Sequence, residues 1–202
     1  MSTSFFAGHN HGLLNVNVNG KLIVQAYSYG TAFSDVDLEI DPSTDKVVSK
    51  KKAEIVSTNH KGVTPDPESE AFVNNLIAAT PKLTEAVGTA AKDIDRTASA
   101  AGETALGNLI ADGMRAAMKT DFAFMNSGGI RNDIPSGKVT YGNLFKMQPF
   151  GNVLIKMTLT GAQFRELLNQ QWKGQDPQRP RIGQISGFTY TWDDSKPAGE
   201  KK

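Results

Sequence analysis

The hydrophobic pattern changes its period at Thr64-Pro65-Asp66-Pro67, and that change constrains the fold more than any other feature of the chain. Upstream, the segments read as strands. Phe5-Phe6-Ala7 is a short apolar run closing on Gly8, and Leu22-Ile23-Val24-Gln25-Ala26-Tyr27 is a second strand. Val36-Asp37-Leu38-Glu39-Ile40-Asp41 alternates with period two, as a half-buried strand does. Asn19-Gly20 between apolar runs signals a hairpin. Asp41-Pro42-Ser43-Thr44-Asp45 is a turn, from which Lys46 to Val56 pairs back. The lysines on that strand (Lys46, Lys50, Lys51, Lys52) read as a solvated face.

Downstream the spacing becomes helical. Asp66 caps a helix with Pro67 at its first position, and Ala71, Phe72, Asn75, Leu76 and Ala79 follow at helical intervals. Pro81 kinks or restarts that helix. From about Val87 the pattern is mixed. Glu103 to Met118 predicts an amphipathic helix with Leu106, Leu109, Ile110 and Met114 on one face. Asp121 to Met125 predicts a short buried strand, and Thr140 caps a short helix. Val153 to Leu159 predicts a strand, Thr160-Gly161-Ala162-Gln163 opens another helix, and Ile185 to Trp192 predicts a last strand. The tail from Lys196 to Lys202 is polar and expected to fray. The class is therefore α+β, with a strand-rich part over 1–62, a helical connector over 63–86 and a mixed α/β part over 87–202.

Bulk properties narrow the chemistry. A chain of 202 residues suffices for one or two domains with a real core. A formal net charge of +1 gives no electrostatic footprint for a nucleic-acid partner. The absence of cysteine removes disulfides, thiolate zinc sites and cysteine nucleophiles together. No apolar run is long enough to span a bilayer. The segment from Met1 to Gly8 has neither the basic start nor the sustained apolar stretch of a signal peptide.

Three short motifs could carry chemistry. Gly8-His9-Asn10-His11-Gly12 puts two imidazoles on one glycine-flanked loop, where both can face a metal; a plain polar loop or a tag remnant is the other reading. Asn126-Ser127-Gly128-Gly129-Ile130-Arg131 follows a strand. Its glycine pair can approach a ligand or form an anion nest, with Arg131 as a planar fork; a tight turn with a surface arginine is the alternative. In Gln148-Pro149-Phe150-Gly151-Asn152, Phe150 can stack on a base and Asn152 can read its edge; a core phenylalanine at a turn is the alternative. No Ser-His-Asp arrangement can be assembled, and His60 reads as a surface residue.

Taken in order, these pieces resemble the 5′-nucleotidase / UDP-sugar hydrolase / cyclic-nucleotide phosphodiesterase family. The resemblance runs from Phe6-Ala7-Gly8-His9-Asn10-His11 through Ile23-Val24-Gln25-Ala26 and Gly102 to Asp112. It then continues through Asn126 to Arg131, Asp133 to Gly137, Gln148 to Asn152, Leu159-Thr160-Gly161 and Ser186-Gly187-Phe188. It implies the end of a calcineurin-like metallophosphatase β-sandwich, then a connecting helix about which family members rotate. A mixed α/β C-terminal domain that holds the nucleotide follows. His9 and His11 match the metal-binding Gly-His-x-His motif of a two-metal centre, with zinc or manganese expected. Asn126, Gly128, Gly129, Arg131, Phe150 and Asn152 match the nucleotide-contacting residues. The implied reaction is metal-assisted hydrolysis of a phosphate ester, and the implied location is periplasmic, extracellular or cell-surface.

The sequence also departs from that family. Its remaining metal ligands, an Asp-x-His, a second Asp, an Asn-His pair and a further His, have no counterpart here. Some members carry an arginine near the position of Gly102, and this chain does not. The expectation is a fragment without catalytic residues of its own, inactive alone and prone to association through open sheet edges. A non-catalytic nucleotide-binding module, or a relative acting on cyclic nucleotides, nucleotide sugars or thiosulfate-type substrates, is the alternative.

Overall fold

The computed structural model describes residues 4–59, 62–175 and 181–202, apart from the side chain of Lys51; His60 lies outside the described residues. The chain divides into two compact units, Met1–Glu70 and Ala71–Lys202. Each is described by itself.

The first unit is built of strands β1 (Ser4–Phe6), β2 (Leu13–Val18), β3 (Lys21–Ala26), β4 (Ala32–Asp41) and β5 (Lys46–Ser57). Strand β3 is central in a three-stranded sheet, parallel to β1 and antiparallel to β2. The Asn19-Gly20 turn joins β2 to β3 with both residues at positive φ, 51° and 75°, the mirror-image turn that matches strand twist. Strands β4 and β5 form a separate hairpin, and β3 packs against both. Asn15 Nδ2 on β2 donates to Ala53 O on β5 at 2.8 Å. The result is sheet on sheet, with Leu22 and Val24 buried on one face of β3 and Gln25 buried on the other. The β4–β5 turn is held by Asp41, whose carboxylate accepts from the amide and hydroxyl of Ser43 and from Thr44. Strand β4 departs from its expected half-burial at its far end. Register shifts interrupt the pairing at Asp37/Leu38 and Glu39/Ile40, and Leu38 and Ile40 are exposed.

Helix α1 (Pro67–Ala78) begins as its sequence predicts, with Ser69 N donating to the Asp66 carboxylate at 2.8 Å and Pro67 at the first position. The second unit follows with β6 (Ala86–Ala90), α2 (Ala105–Met118), β7 (Ala123–Met125), β8 (Gly137–Thr140), α3 (Tyr141–Met147), α4 (Gly161–Asn169) and β9 (Gln184–Ser186). Strands β6 and β8 pair antiparallel, as do β7 and β9, and α2 lies on β7 and β9. The core is Ala90, Leu106, Ile110, Met125, Ile130, Ile134, Val139 and Met147. Helices α2, α3 and α4 start at Thr104, Thr140 and Thr160, each hydroxyl accepting from a first-turn amide. Asn143 and Gln163 complete reciprocal capping boxes at α3 and α4.

Three sequence expectations need correction. Val153 to Leu159 forms no strand; its alternation is real, but no strand lies beside it among the described residues, and a strand exists only through its pairing. The last strand is Gln184–Ser186 rather than Ile185 to Trp192. Its partner β7 is three residues long, and Gly187 at φ 86° turns the chain away at once. Leu109 is exposed, because the buried stripe of α2 runs along Leu106, Ile110 and Ala111.

Candidate functional site

In the second unit, β7 ends at Met125 and the chain reverses after Asn126 through a 3-10 turn, Ser127–Gly129. Gly129 N donates to Asn126 O and Ile130 N to Ser127 O, each at 3.1 Å. Those two amides are thereby committed and add nothing to an anion nest, and neither Gly128 nor Gly129 adopts positive φ. Gly129 does serve a close approach: a Cβ there would stand 2.5 Å from Met125 Cε.

Arg131 N then donates to Met147 O at 2.7 Å, which ties this segment to the end of α3. Phe150 emerges just beyond that helix, with the Arg131 guanidinium 5.1 Å from its ring centroid, a cation–π contact. The ring remains 46% exposed, while Arg131 Nε is buried without a hydrogen-bond partner. A buried, unmet donor costs free energy until an acceptor reaches it. The structure thus brings Arg131 and Phe150 together, across 19 residues of sequence, and places Asn126 and Asn152 at the exposed ends of the same two segments. Gln148, whose amide points at Met125 Sδ, lines an apolar cavity of about 290 Å³ with Ile110, Met114 and Leu154.

In the first unit, His9 and His11 are exposed and both sit in the left-handed region, at φ 72° and 58°. Asn10 N donates to Gly8 O at 2.9 Å around His9, and Gly12 N donates to Asn10 Oδ1 at 2.9 Å around His11. Gln25, near the end of β3, donates to Asn10 Oδ1 and to Gly12 O. The His11 and Tyr29 rings meet edge to face at 5.3 Å. Neither Asn10 nor Gln25 stands out in the sequence reading. The available signal was a polar residue inside the apolar run Leu22-Ile23-Val24-Gln25-Ala26. Two exposed imidazoles on one loop fit the donor chemistry of zinc or manganese in kind. They fall short in number, since no three His, Cys, Asp or Glu side chains converge among the described residues.

Residues 85–201 match the family of the 5′-nucleotidase C-terminal domain. A solved structure of the 5′-nucleotidase precursor from Thermus thermophilus superposes with a TM-score of 0.76 at 27% identity, covering 98% of this chain and 44% of that one. The chain belongs to the 5′-nucleotidase C-terminal domain family. Among curated relatives, Endonuclease YhcR of Bacillus subtilis is 50% identical over 192 residues, covering 93% of this chain and 15% of its own length. Cell wall protein Lmo0130 of Listeria monocytogenes is 36% identical over 208 residues, covering 94% and 26%. The chain therefore spans well under a third of these two relatives. Among the described residues no helix is long and apolar enough to cross a membrane.

Proposed function

We propose that this chain is the nucleotide-holding part of a phosphoric-ester hydrolase of the 5′-nucleotidase type, which releases nucleoside and phosphate. The observation that carries the reading is the guanidinium of Arg131 laid over the half-exposed ring of Phe150. Phe150 offers a flat face for a base, and Arg131 offers a charged fork and an unmet Nε donor for the phosphate or sugar. Asn152 and Asn126 would offer their amides to polar edges of the same ligand, Gly128 would keep a side chain out of its path, and Gly129 would hold the turn against Met125. His9 and His11 supply two ligands to a metal centre whose other donors come from outside these residues. When bound, divalent ions such as zinc or manganese acidify a water and clamp the phosphoryl oxygens. With two imidazoles alone, the chain binds and orients without turnover. The cell-wall name of one relative supports action outside the cytoplasm or at the cell surface.

Calorimetry with AMP on the 202-residue chain tests this. Binding is expected, with Phe150→Ala weakening it by about 1–3 kcal/mol, roughly five-fold to 150-fold. Hydrolysis of AMP with added zinc or manganese is expected to stay at background. A silent titration of the folded chain, or turnover surviving chelator-controlled purification, refutes the reading. Titrations with a cyclic nucleotide and a nucleotide sugar rank the substrate classes.

A further inference from the structure

We infer that the buried amide of Gln25, acting through Asn10, is the positioning device that sets the direction of both imidazoles in the His9–His11 loop. The inference rests on reading His9 and His11 as metal ligands, and deepens it by naming what aims them.

The loop is held in conformations it would not keep by itself. His9 is the central residue of a three-residue turn closed by Asn10 N to Gly8 O, at φ 72°. Such a γ-turn is the rare, strained variety. His11, at φ 58°, is the central residue of a second turn, closed by Gly12 N on Asn10 Oδ1. Asparagine and aspartate adopt left-handed backbone readily; histidine does so at a cost, and strained conformations persist only where their surroundings over-determine them. Here the surroundings are Gln25. Its side chain is 3% exposed on the central strand, and its Nε2 donates to Asn10 Oδ1 and, at 3.0 Å, to Gly12 O. One amide thus grips both ends of the turn that carries His11, and Tyr27 N adds a third bond to Gly12 O at 3.0 Å.

The grip has a cost, which argues that it is selected. Gln25 Oε1 is buried with no partner, in a strand whose buried neighbours are Leu22 and Val24. An apolar residue would pack there without that penalty. A glutamine belongs there only for its donor. Tyr27 and Tyr29, at φ 52° and 59°, continue the strained geometry on the adjoining loop, and the Tyr29 ring lies against that of His11.

The experiment uses the whole chain, a double variant that removes both imidazoles, and three single variants: Gln25→Met, which keeps length and removes the donor, Asn10→Ala, and Asn10→Asp, which keeps the acceptor. In metal-free protein, nuclear Overhauser contacts between the His11 and Tyr29 rings report loop geometry, and Zn²⁺ titration reports ligand presentation. Asn10→Ala and Gln25→Met are expected to lose the ring contact and to weaken Zn²⁺ binding by about ten-fold or more, the usual effect of removing a partner that orients a ligand. Asn10→Asp is expected to restore the ring contact. Because Asn10 is exposed, its variants are expected to fold, and they decide the matter even if Gln25→Met does not fold. Ring contact and Zn²⁺ affinity both preserved in folded Asn10→Ala overturn the inference. Zn²⁺ affinity unaltered by His9→Ala and His11→Ala together overturns the ligand reading instead, and the ring contact alone then decides the brace.

Discussion

Gln184 is fully buried, yet both ends of its side-chain amide are occupied. Its Oε1 accepts from Thr104 N at 2.7 Å and from Thr104 Oγ1 at 3.0 Å, and its Nε2 donates to Ile182 O and Gly102 O. It thereby plugs the start of α2, where first-turn amides lack helical partners. Gly107 makes room for it, since a Cβ at that position would stand 2.1 Å from Gln184 Oε1. Alanine is ordinarily the better helix residue, so Gly107→Ala and Gly113→Ala should separate the two effects. Gly113, on the same helix, faces open space. Gly107→Ala is expected to lose about 1–3 kcal/mol through overpacking. Gly113→Ala is expected to gain up to about 1 kcal/mol, both read from urea denaturation. Equal responses would remove Gln184 from this role. None of this was legible in the sequence, because Gln184 and Thr104 lie 80 residues apart and nothing local marks them as partners. Arg131 and Phe150 were legible, because each sits in a motif whose glycines and proline announce a shaped loop.

At the scale of elements, what is coded locally was readable and what depends on a distant partner was not. The threonines that open α3 and α4, and the Asn19-Gly20 turn, act within a few residues and appear where their chemistry puts them. Val153 to Leu159 carries the strand alternation, but pairing is a property of two segments. The link between the 91–95 and 133–137 segments is of the same non-local kind. Ile94 and Ile134 form an isolated bridge, and Ser136 N donates to Asp93 Oδ1 at 2.7 Å. The Ser136 amide holds the Asp93 carboxyl below the ordinary aspartate range. A carboxyl depressed in the folded state stabilises above its unfolded value, about 3.9, and that contribution fades as pH falls through the folded value. Melting temperature should therefore drop below about pH 4, and Asp93→Asn should flatten part of the drop by lowering stability at neutral pH while leaving the acid end little changed. Only part is expected, because Asp41, Asp66 and Asp193 are depressed in the same direction by Ser43, Ser69 and Ser195. An unchanged acid limb in Asp93→Asn would assign the link no role in stability.

Large apolar side chains stand exposed on two segments of the chain. Val153, Ile155 and Met157 are 79%, 75% and 64% exposed on one segment that has no strand partner among the described residues, and Phe72, Val73, Leu76 and Ile77 of α1 are exposed as well. Apolar side chains spaced two apart on unpaired backbone combine the two ingredients of edge association, free amides and carbonyls with a hydrophobic row. The helix offers only the second, since its backbone groups are already paired within it. The two sources can be told apart by substitution. Ile155→Lys puts a charge on the unpaired segment, the device natural edges use against pairing, and Leu76→Lys does the same to the helix. Sedimentation velocity over a rising concentration series is expected to show self-association of the unaltered chain. It is expected to fall sharply in Ile155→Lys and only slightly in Leu76→Lys, because charge placed on the segment blocks both ingredients at once. If Leu76→Lys proves the stronger suppressor, association runs through the helix face and the unpaired segment is a bystander. A monomer at every concentration would mean that exposed apolar area at this density is tolerated without a partner.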